Sequence, residues 1–239
     1  MTDTVNIQYC MDKFNGEDSK ISVVIDAVSN TALKYILECL IDTTSSVYCL
    51  GCGEADFSLA GVKVFYNDLC ANKLEYTKDR VQLSDDIYFL NYDVLKVKPK
   101  DDSVAVCNFS LHEFSVDEYG KFDEIYLEDY VKYLAKNYER ILIGEAGLGF
   151  LELFSDNHPY IEPKKLIEMF EDYGFDIEYK PIKLSENNDI IIESTPKIRS
   201  LTGFVENYYG QNITTEYLRH KLNVIKNDTI AYVLDIQKT

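Results

Sequence analysis

The stretch that decides the fold is VYCLGCGEAD, which runs from Val47 to Asp56. It contains two overlapping patterns. Cys49 and Cys52 have the C-x-x-C spacing of a redox pair or of half a zinc site, whereas Gly51 and Gly53 have the spacing of a turn that binds a nucleotide. Each pattern implies a different kind of protein, so the surrounding sequence has to decide between them.

The residues on either side of this stretch predict a strand, a tight turn and the start of a helix. Val47–Leu50 is a short apolar run that ends in glycine, which is typical of a buried strand. Phe57–Ala60 then begins a short helical pattern.

The cysteine pattern has little support in the rest of the chain. A structural zinc site needs about four ligands, but the other cysteines are isolated and His112, His158 and His220 stand far apart in sequence. A redox pair belongs at the start of a helix, whereas Cys49 lies on the predicted strand, where sulfur behaves as a small apolar group. The sequence therefore predicts no metal site.

The glycine pattern is supported by acidic residues further along the chain. Glycine lets the backbone pass close to a ligand, and a helix that starts there offers free N–H groups. Asp68 ends the next apolar run, where its carboxylate can accept hydrogen bonds from both hydroxyls of a ribose. Asp93 ends the run after that, in position to contact an adenine edge. At the carboxyl ends of parallel strands these features meet in one crevice.

The remaining sequence alternates between strands and helices. Residues 19–40 predict one or two amphipathic helices, and further helices are predicted over 73–78, 119–137 and 163–173. The predicted strands after the glycine turn are VKVFYNDLC, DIYFLNYDVL, DSVAVCNFSLHEF, RILIGEAG, FDIEYKPIKL and TIAYVLDIQ. Several of these runs are apolar on both faces, which predicts a parallel sheet covered by helices.

Composition narrows the possible environment and partners. The formal charge is −17, from 41 acidic and 24 basic residues, which argues against a nucleic-acid substrate, although acidity also serves simply to keep a protein soluble. No apolar run approaches the roughly 18 residues of a membrane span, and the N-terminus lacks the pattern of a secretory signal. Six scattered cysteines fit a reducing compartment, so we predict a cytoplasmic protein. The oligomeric state is not indicated.

Taken in order, these motifs resemble the class I S-adenosylmethionine-dependent methyltransferases. The similarity covers about residues 45 to 147, from VYCLGCGEADFSLA through VFYNDLC, NYDVL and VAVCNFSLHEF to RILIGEAG, and extends loosely to residue 239. The resemblance implies a Rossmann-like, mostly parallel sheet of seven strands with helices on both faces and an antiparallel last strand. It also implies S-adenosyl-L-methionine as the cofactor.

The resemblance implies which residues contact that cofactor. Its methionine portion is expected near the glycine turn, its ribose on Asp68, its adenine near Asp93, and the reaction crevice at Asn108 and Phe109. The full set of expected cofactor-binding residues is Gly51, Cys52, Gly53, Asp68, Leu69, Asp93, Val94, Asn108 and Phe109.

The first motif departs from the family pattern at two positions. The usual acid two residues before the first glycine is Cys49 here, and the third glycine is Ala55. The contacts that bind the amino-acid end of the cofactor therefore have to be rebuilt, for which Glu54 and Asp56 are available.

We expect one methyltransferase domain with added segments. Its predicted parts are an N-terminal helical cap over 1–44, a cofactor-binding core over 45–184, a substrate-covering insertion over 185–227 and a last strand over 228–239. No Gly/Ser/Pro-rich linker separates these parts.

Three residues near the crevice are candidates for catalysis. His112 is the predicted base, since imidazole titrates near neutral pH, and Glu113 stands beside it. Glu145, at the end of the fifth strand, is placed to orient a cationic or hydroxylated acceptor. The structural alternatives are that His112 caps or packs a helix and that Glu145 bonds nearby backbone.

The sequence favours methyl transfer to an oxygen or nitrogen of a small molecule. The residues NFSL after the fourth strand differ from the N-P-P-Y or D-P-P-Y of enzymes that methylate exocyclic amines of bases or glutamine amides. Two alternatives stay open. One is a non-catalytic methyltransferase-like binding or regulatory protein, and the other is a protein methyltransferase with a basic target.

Overall fold

The structure is a computed structural model of the 239-residue chain. It describes residues 22–53, 57–81, 84–100, 102–117, 121–149, 160–183 and 227–239. Within these ranges, none of the helices combines the length and the hydrophobicity that a membrane-spanning segment needs.

Helices and strands alternate along the described chain. The helices are α1 (Ser22–Cys39), α2 (Ala71–Arg80), α3 (Leu111–Phe114), α4 (Glu124–Asn137) and α5 (Pro163–Glu171), with a 3-10 turn at Val94–Lys96. The strands are β1 (Val47–Leu50), β2 (Val64–Asn67), β3 (Ile87–Leu90), β4 (Val104–Asn108), β5 (Arg140–Ala146), β6 (Phe175–Lys183) and β7 (Thr229–Lys238).

These strands form one seven-stranded sheet in the order β3-β2-β1-β4-β5-β7-β6. Strands β1 to β5 pair in parallel, and Val47 of β1 lies opposite Val64 of β2 on one side and Val104 of β4 on the other. β7 is antiparallel to both of its neighbours. The predicted mostly parallel sheet with an antiparallel last strand is confirmed.

The central strands β1, β2, β4 and β5 are buried on both faces, as their uninterrupted apolar runs predict, whereas the edge strands β3 and β6 are partly exposed. Side chains of β4 alternate between the faces: Val104 and Val106 belong to the core cluster that includes α1, whereas Ala105 and Cys107 belong to the cluster that includes α4 and α5. The amphipathic pattern of residues 19–40 is observed as the single helix α1 over its described part.

The connection from β1 to β2 differs from the prediction. The prediction that a helix begins at Phe57 is wrong. Residues 57–63 form no helix and lead directly into β2. The apolar residues of this connection, Phe57, Leu59 and Val62, pack individually against the core instead. Phe57 is buried with its ring 5.7 Å from that of Tyr66, whose hydroxyl donates a hydrogen bond to the Phe57 carbonyl.

One helix starts later than its sequence pattern indicates. The pattern over 119–137 forms a helix only from Glu124, because the Asp123 side chain accepts a hydrogen bond from the N–H of Ile125 and caps the first turn. The insertion was predicted over 185–227, and all of it except residue 227 lies outside the described residues. So do Glu54, Ala55 and Asp56 of the first motif.

Candidate active site

The glycine turn after β1 places its two glycines in different surroundings. Both have left-handed backbone, with φ of 61° at Gly51 and 52° at Gly53. A Cβ atom on Gly51 would lie 2.4 Å from Cζ of Phe114 and 2.8 Å from Cβ of Ser110, so this glycine is needed for packing. A Cβ atom on Gly53 would meet no atom of the described residues within 4 Å, so this glycine borders open space.

We expect Gly51→Ala to destabilise the fold more than Gly53→Ala. Both substitutions place alanine in left-handed backbone, at a cost of about 1–2 kcal/mol. Only at Gly51 must the Phe114 ring also move, which adds an overpacking cost of about 1–3 kcal/mol. Urea unfolding of the two variants measures the difference, and equal losses would contradict this account of the turn.

Asp68, directly after β2, holds the glycine turn in place. Its Oδ2 accepts a hydrogen bond from the N–H of Gly53 and its Oδ1 one from the N–H of Cys70, both at 2.8 Å. Thr77 of α2 donates to the Gly53 carbonyl at 3.0 Å. Burial raises the pKa of the Asp68 carboxyl, and the N–H groups of Cys70 and Gly53 lower it. A carboxylate has about four acceptor positions, so Asp68 retains capacity for a ligand beyond these two N–H groups.

Two asparagines join the ends of β2 and β3 beside Asp68. The Asn67 amide donates to the carbonyls of Leu90 and Tyr92, at 3.1 and 2.8 Å. The Asn91 amide donates to the carbonyls of Asp68 and of the following residue, at 2.8 and 2.9 Å. Sequence reasoning did not assign these amides, although a polar residue at the end of an apolar strand marks each of them.

The expected adenine-side residues lie after β3. Asp93 caps the 3-10 turn: its Oδ1 accepts from the N–H of Leu95 at 3.0 Å, and Nζ of Lys96 lies 3.6 Å from its Oδ2. Val94 is buried in the core and Leu69 is half-buried. The Cys52 side chain is also buried, and its N–H donates to the carbonyl of Asn67, the last residue of β2, at 2.9 Å.

The end of β4 has strained backbone. Phe109 has a φ of 53°, which is uncommon for a bulky side chain and typical of functional sites. Its N–H donates to the Gly144 carbonyl of β5 at 2.7 Å. The neighbouring Asn108 donates its amide to the Ser29 carbonyl of α1 at 3.2 Å, and its buried Oδ1 has no hydrogen-bond partner among the described residues.

The three predicted catalytic residues form one buried cluster next to this strained turn. Oε1 of Glu145 accepts from the N–H groups of Leu111 and His112, at 2.7 and 3.2 Å, and so caps α3. Its Oε2 lies 2.7 Å from Nδ1 of His112. The other ring nitrogen, Nε2, lies 3.4 Å from Oε1 of Glu113. The structure thus brings all three together, with both imidazole nitrogens facing carboxylates.

This cluster keeps the imidazole charged at neutral pH. Burial alone would lower the pKa of His112, but Glu145 and Glu113 raise it to about 10. A protonated imidazole has no lone pair to accept a proton. The geometry therefore favours a structural role for His112, in which Glu145 and His112 together hold the turn at Asn108 and Phe109.

We expect the stability that His112 contributes to depend on pH. Its pKa in the folded protein, about 10, lies above the value of 6.5 for the free side chain, so its contribution is complete below about pH 6.5 and is lost as the pH rises toward 10. Urea unfolding between pH 6.5 and 10 should show a steeper loss for the wild type than for His112→Gln. Parallel pH profiles would contradict the ion pair.

The cysteines of the opening stretch are part of the core. Cys49 and Cys52 are buried, and burial raises the pKa of both thiols, which keeps them protonated and unreactive. None of the described cysteines forms a disulfide, and among the described residues no three histidine, cysteine or acidic side chains are arranged so that they could hold a metal ion.

Comparisons with known proteins identify the architecture. A scan of protein-family models and a search of curated proteins found no match to the sequence. Among solved structures, the chain is similar to magnesium protoporphyrin IX methyltransferase from Synechocystis with bound S-adenosylhomocysteine, at 14% identity and a TM-score of 0.60, over 98% of this chain and 100% of that one.

Two further solved structures have the same architecture. A methyltransferase from Geobacter sulfurreducens in complex with S-adenosylhomocysteine is 13% identical, with a TM-score of 0.58 over 93% of this chain and 99% of that one. Phosphoethanolamine N-methyltransferase 2 from Haemonchus contortus, in complex with S-adenosylmethionine, is 15% identical, with a TM-score of 0.56 over 88% of this chain and 53% of that one. The strand order and these similarities together show that the chain has the class I S-adenosylmethionine-dependent methyltransferase fold.

Proposed function

We propose that this chain binds S-adenosylmethionine and transfers its methyl group to an oxygen or nitrogen of a small-molecule acceptor. The observation that carries the proposal is the open space beside Gly53, next to the Asp68 carboxylate, at the carboxyl edge of a class I sheet. In open α/β sheets, ligands bind at this edge, where the strand order reverses. Here the reversal lies between β1 and β4.

The residues at this edge suit the cofactor. Gly53 has the left-handed backbone and free volume that a closely approaching ligand requires. Asp68 can accept from ribose hydroxyls with its remaining lone pairs. These residues fit S-adenosylmethionine. They differ from the sequence prediction in one respect, which is that no helix follows at residues 57–63 to offer free N–H groups.

The chain itself contributes alignment to the reaction. S-adenosylmethionine, when bound, supplies an electrophilic methyl group on a sulfonium. Asp68 holds the turn that positions the cofactor, and the cluster of His112 and Glu145 holds the start of α3, which follows the turn at Asn108 and Phe109. Such positioning is the main requirement of an in-line displacement. We propose Glu113 and Glu145 as residues that position the turn through His112 and not as bases.

The proposal of a small acceptor is supported by charge and by the neighbours. The net charge of −17 disfavours polyanions such as nucleic acids. The similar structures include enzymes whose names specify a porphyrin and phosphoethanolamine, which are both small molecules. A cytoplasmic location, which the scattered cysteines suggested, stays part of the proposal.

A second candidate function is a non-catalytic methyltransferase-like protein. It is favoured by the altered first motif, because a buried thiol replaces an acid at Cys49 and both carboxylate oxygens of Asp68 already accept backbone N–H groups. Such a protein would bind cofactor without turnover.

Methyl transfer in a fractionated lysate separates these possibilities. The protein is incubated with S-adenosylmethionine labelled in its methyl group, and label is counted in the small-molecule and macromolecular fractions. We expect label in small molecules. Label in basic proteins would identify a protein methyltransferase instead, and cofactor binding without transfer to either fraction would favour the non-catalytic function.

A further inference from the structure

A second concave site lies on the same edge of the sheet, beyond the end of β5. It is a cleft of about 390 Å³ between residues 147–149 and the start of β7. This volume lies within the range of small-molecule sites. The residues that carry the argument are Gly147, Gly149, Tyr160, Tyr179, Asp228 and Tyr232, all of which line the cleft.

Glycines bring one wall of the cleft directly against β7. A Cβ atom on Gly147 would lie 2.1 Å from the Thr229 carbonyl oxygen, and one on Gly149 would lie 3.0 Å from Cβ of Asp228. The N–H of Gly147 donates to the Ile230 carbonyl at 2.9 Å. This wall is therefore built from closely packed backbone, which also determines where Asp228 stands.

Tyrosine rings form the other walls. The Tyr232 hydroxyl donates to the Ile161 carbonyl at 2.7 Å, which anchors the segment that carries Tyr160. The Tyr179 ring lies 6.2 Å from that of Tyr232 at an angle of 48°. Tyr232 is fully buried, whereas Tyr179 is 41% exposed and available to a ligand.

The charge of the cleft is negative and uncompensated among its described lining residues. Among the described residues that line it, Asp228 is the one acidic side chain and there is no lysine or arginine. A second carboxylate stands near, since burial and then Glu162 raise the pKa of the Tyr160 phenol. Aromatic faces attract cations through their electron density, and this attraction strengthens where water is partly excluded. The described lining of the cleft is therefore complementary to a cation.

The cleft lies close to the proposed methyl-transfer site. Tyr232 of β7 lies directly opposite Glu145 of β5 in the sheet. Glu145 in turn caps α3, which follows the strained turn at Phe109. One strand pairing thus separates the cleft from the reaction crevice.

We propose that this cleft binds a cationic nitrogen group and that the methyl acceptor is a small molecule that carries an ammonium group. The assignment of the acceptor rests on the proposed function, whereas recognition of the cation by Tyr160, Tyr179 and Asp228 does not. The cleft recognises this group and takes no part in bond making.

Choline and its neutral carbon isostere, 3,3-dimethylbutan-1-ol, test the proposal, because they share a shape and differ in charge. Each is titrated into the ¹⁵N-labelled full chain, and the amide signals of Gly147 and Gly149 are followed by NMR. We expect saturable shifts with choline and at least about tenfold weaker binding of the isostere, since only the cation gains from the rings. Equal binding of the two probes, or binding of neither, overturns the proposal.

Variants locate the site. Tyr179→Leu and Asp228→Asn should each weaken choline binding by about three- to tenfold. The matched control is Tyr173→Leu, which removes an exposed ring near the opposite end of β6 and should leave the affinity unchanged. Choline binding that survives both cleft variants lies elsewhere and overturns the proposal.

Calorimetry with S-adenosylhomocysteine on the same variants separates this inference from the proposed function. We expect unchanged affinity in Tyr179→Leu and Asp228→Asn. If the wild type binds choline at the cleft but no S-adenosylhomocysteine, the assignment of the acceptor is overturned together with the proposed function. If it binds S-adenosylhomocysteine but does not prefer choline, only the cleft proposal is overturned.

Discussion

Glu145→Ala should lower the free energy of unfolding by about 3–5 kcal/mol, because it removes the carboxylate nearest to the buried His112 imidazolium. The substitution also removes the acceptor for the N–H groups of Leu111 and His112 at the start of α3. Urea unfolding at pH 7 measures the loss.

An exposed ion pair on the same strand pair provides the control for this result. Glu139 lies 3.3 Å from Lys238 and is largely exposed, so Glu139→Ala should cost no more than about 1 kcal/mol. The double variant His112→Gln with Glu145→Gln should lose less than the sum of the single variants, because two neutral amides can pair. Similar losses for Glu145→Ala and Glu139→Ala would show that the buried cluster is not the anchor of the turn.

Asp68→Ala should weaken the binding of S-adenosylhomocysteine by about 1–3 kcal/mol, as expected for the loss of a charged hydrogen-bond acceptor. Two effects act in the same direction. The ribose loses its acceptor, and the N–H of Gly53 loses the carboxylate that positions the turn. Calorimetric titration measures the affinity, and a parallel unfolding experiment identifies how much stability the same variant loses.

The control for Asp68→Ala is Asp85→Ala, which removes an exposed carboxylate from the approach to β3. It should leave both affinity and stability unchanged. Asp68→Asn is a further check. The asparagine amide keeps one acceptor oxygen, but its NH₂ group faces a backbone N–H that Asp68 accepts, and two donors cannot pair. We expect it to bind weakly as well. Unchanged affinity in Asp68→Ala would refute the role of this residue in cofactor binding.

The central strands could be predicted from the sequence because they are uninterrupted apolar runs, which is the pattern of a strand that is buried on both faces. The run from Arg140 to Ala146 is buried on both faces, and the pattern predicted this directly. The antiparallel direction of β7 could not be predicted in this way, because no local pattern in its sequence indicates the direction of a strand. It followed only from the resemblance of the motifs to a known family.

The connection after the glycine turn could not be predicted because its residues have a misleading pattern. Phe57 and the apolar residues after it have helical spacing, but Phe57 instead packs on Tyr66 of β2 and residues 57–63 form no helix. Tertiary packing overrode local propensity here. For Gly51 the sequence indicated only the approach of a cofactor and gave no sign that the missing side chain also makes room for Phe114.

The structure brings together three residues that the sequence singled out separately, through contacts that the sequence did not predict. His112, Glu113 and Glu145 were singled out from residue type and strand ends, and they do meet. Which side chains pair depends on distances across 33 residues of sequence, which no local pattern contains. The buried pair therefore changes the interpretation of His112 from a base to a positioning residue.

A crystal structure of the protein soaked with S-adenosylhomocysteine tests the central claim most directly. The account predicts density for an adenosyl group in the space beside Gly53, with the ribose hydroxyls within hydrogen-bond distance of Asp68. Density for the ligand elsewhere, or a metal ion bound by Cys49 and Cys52, would contradict it.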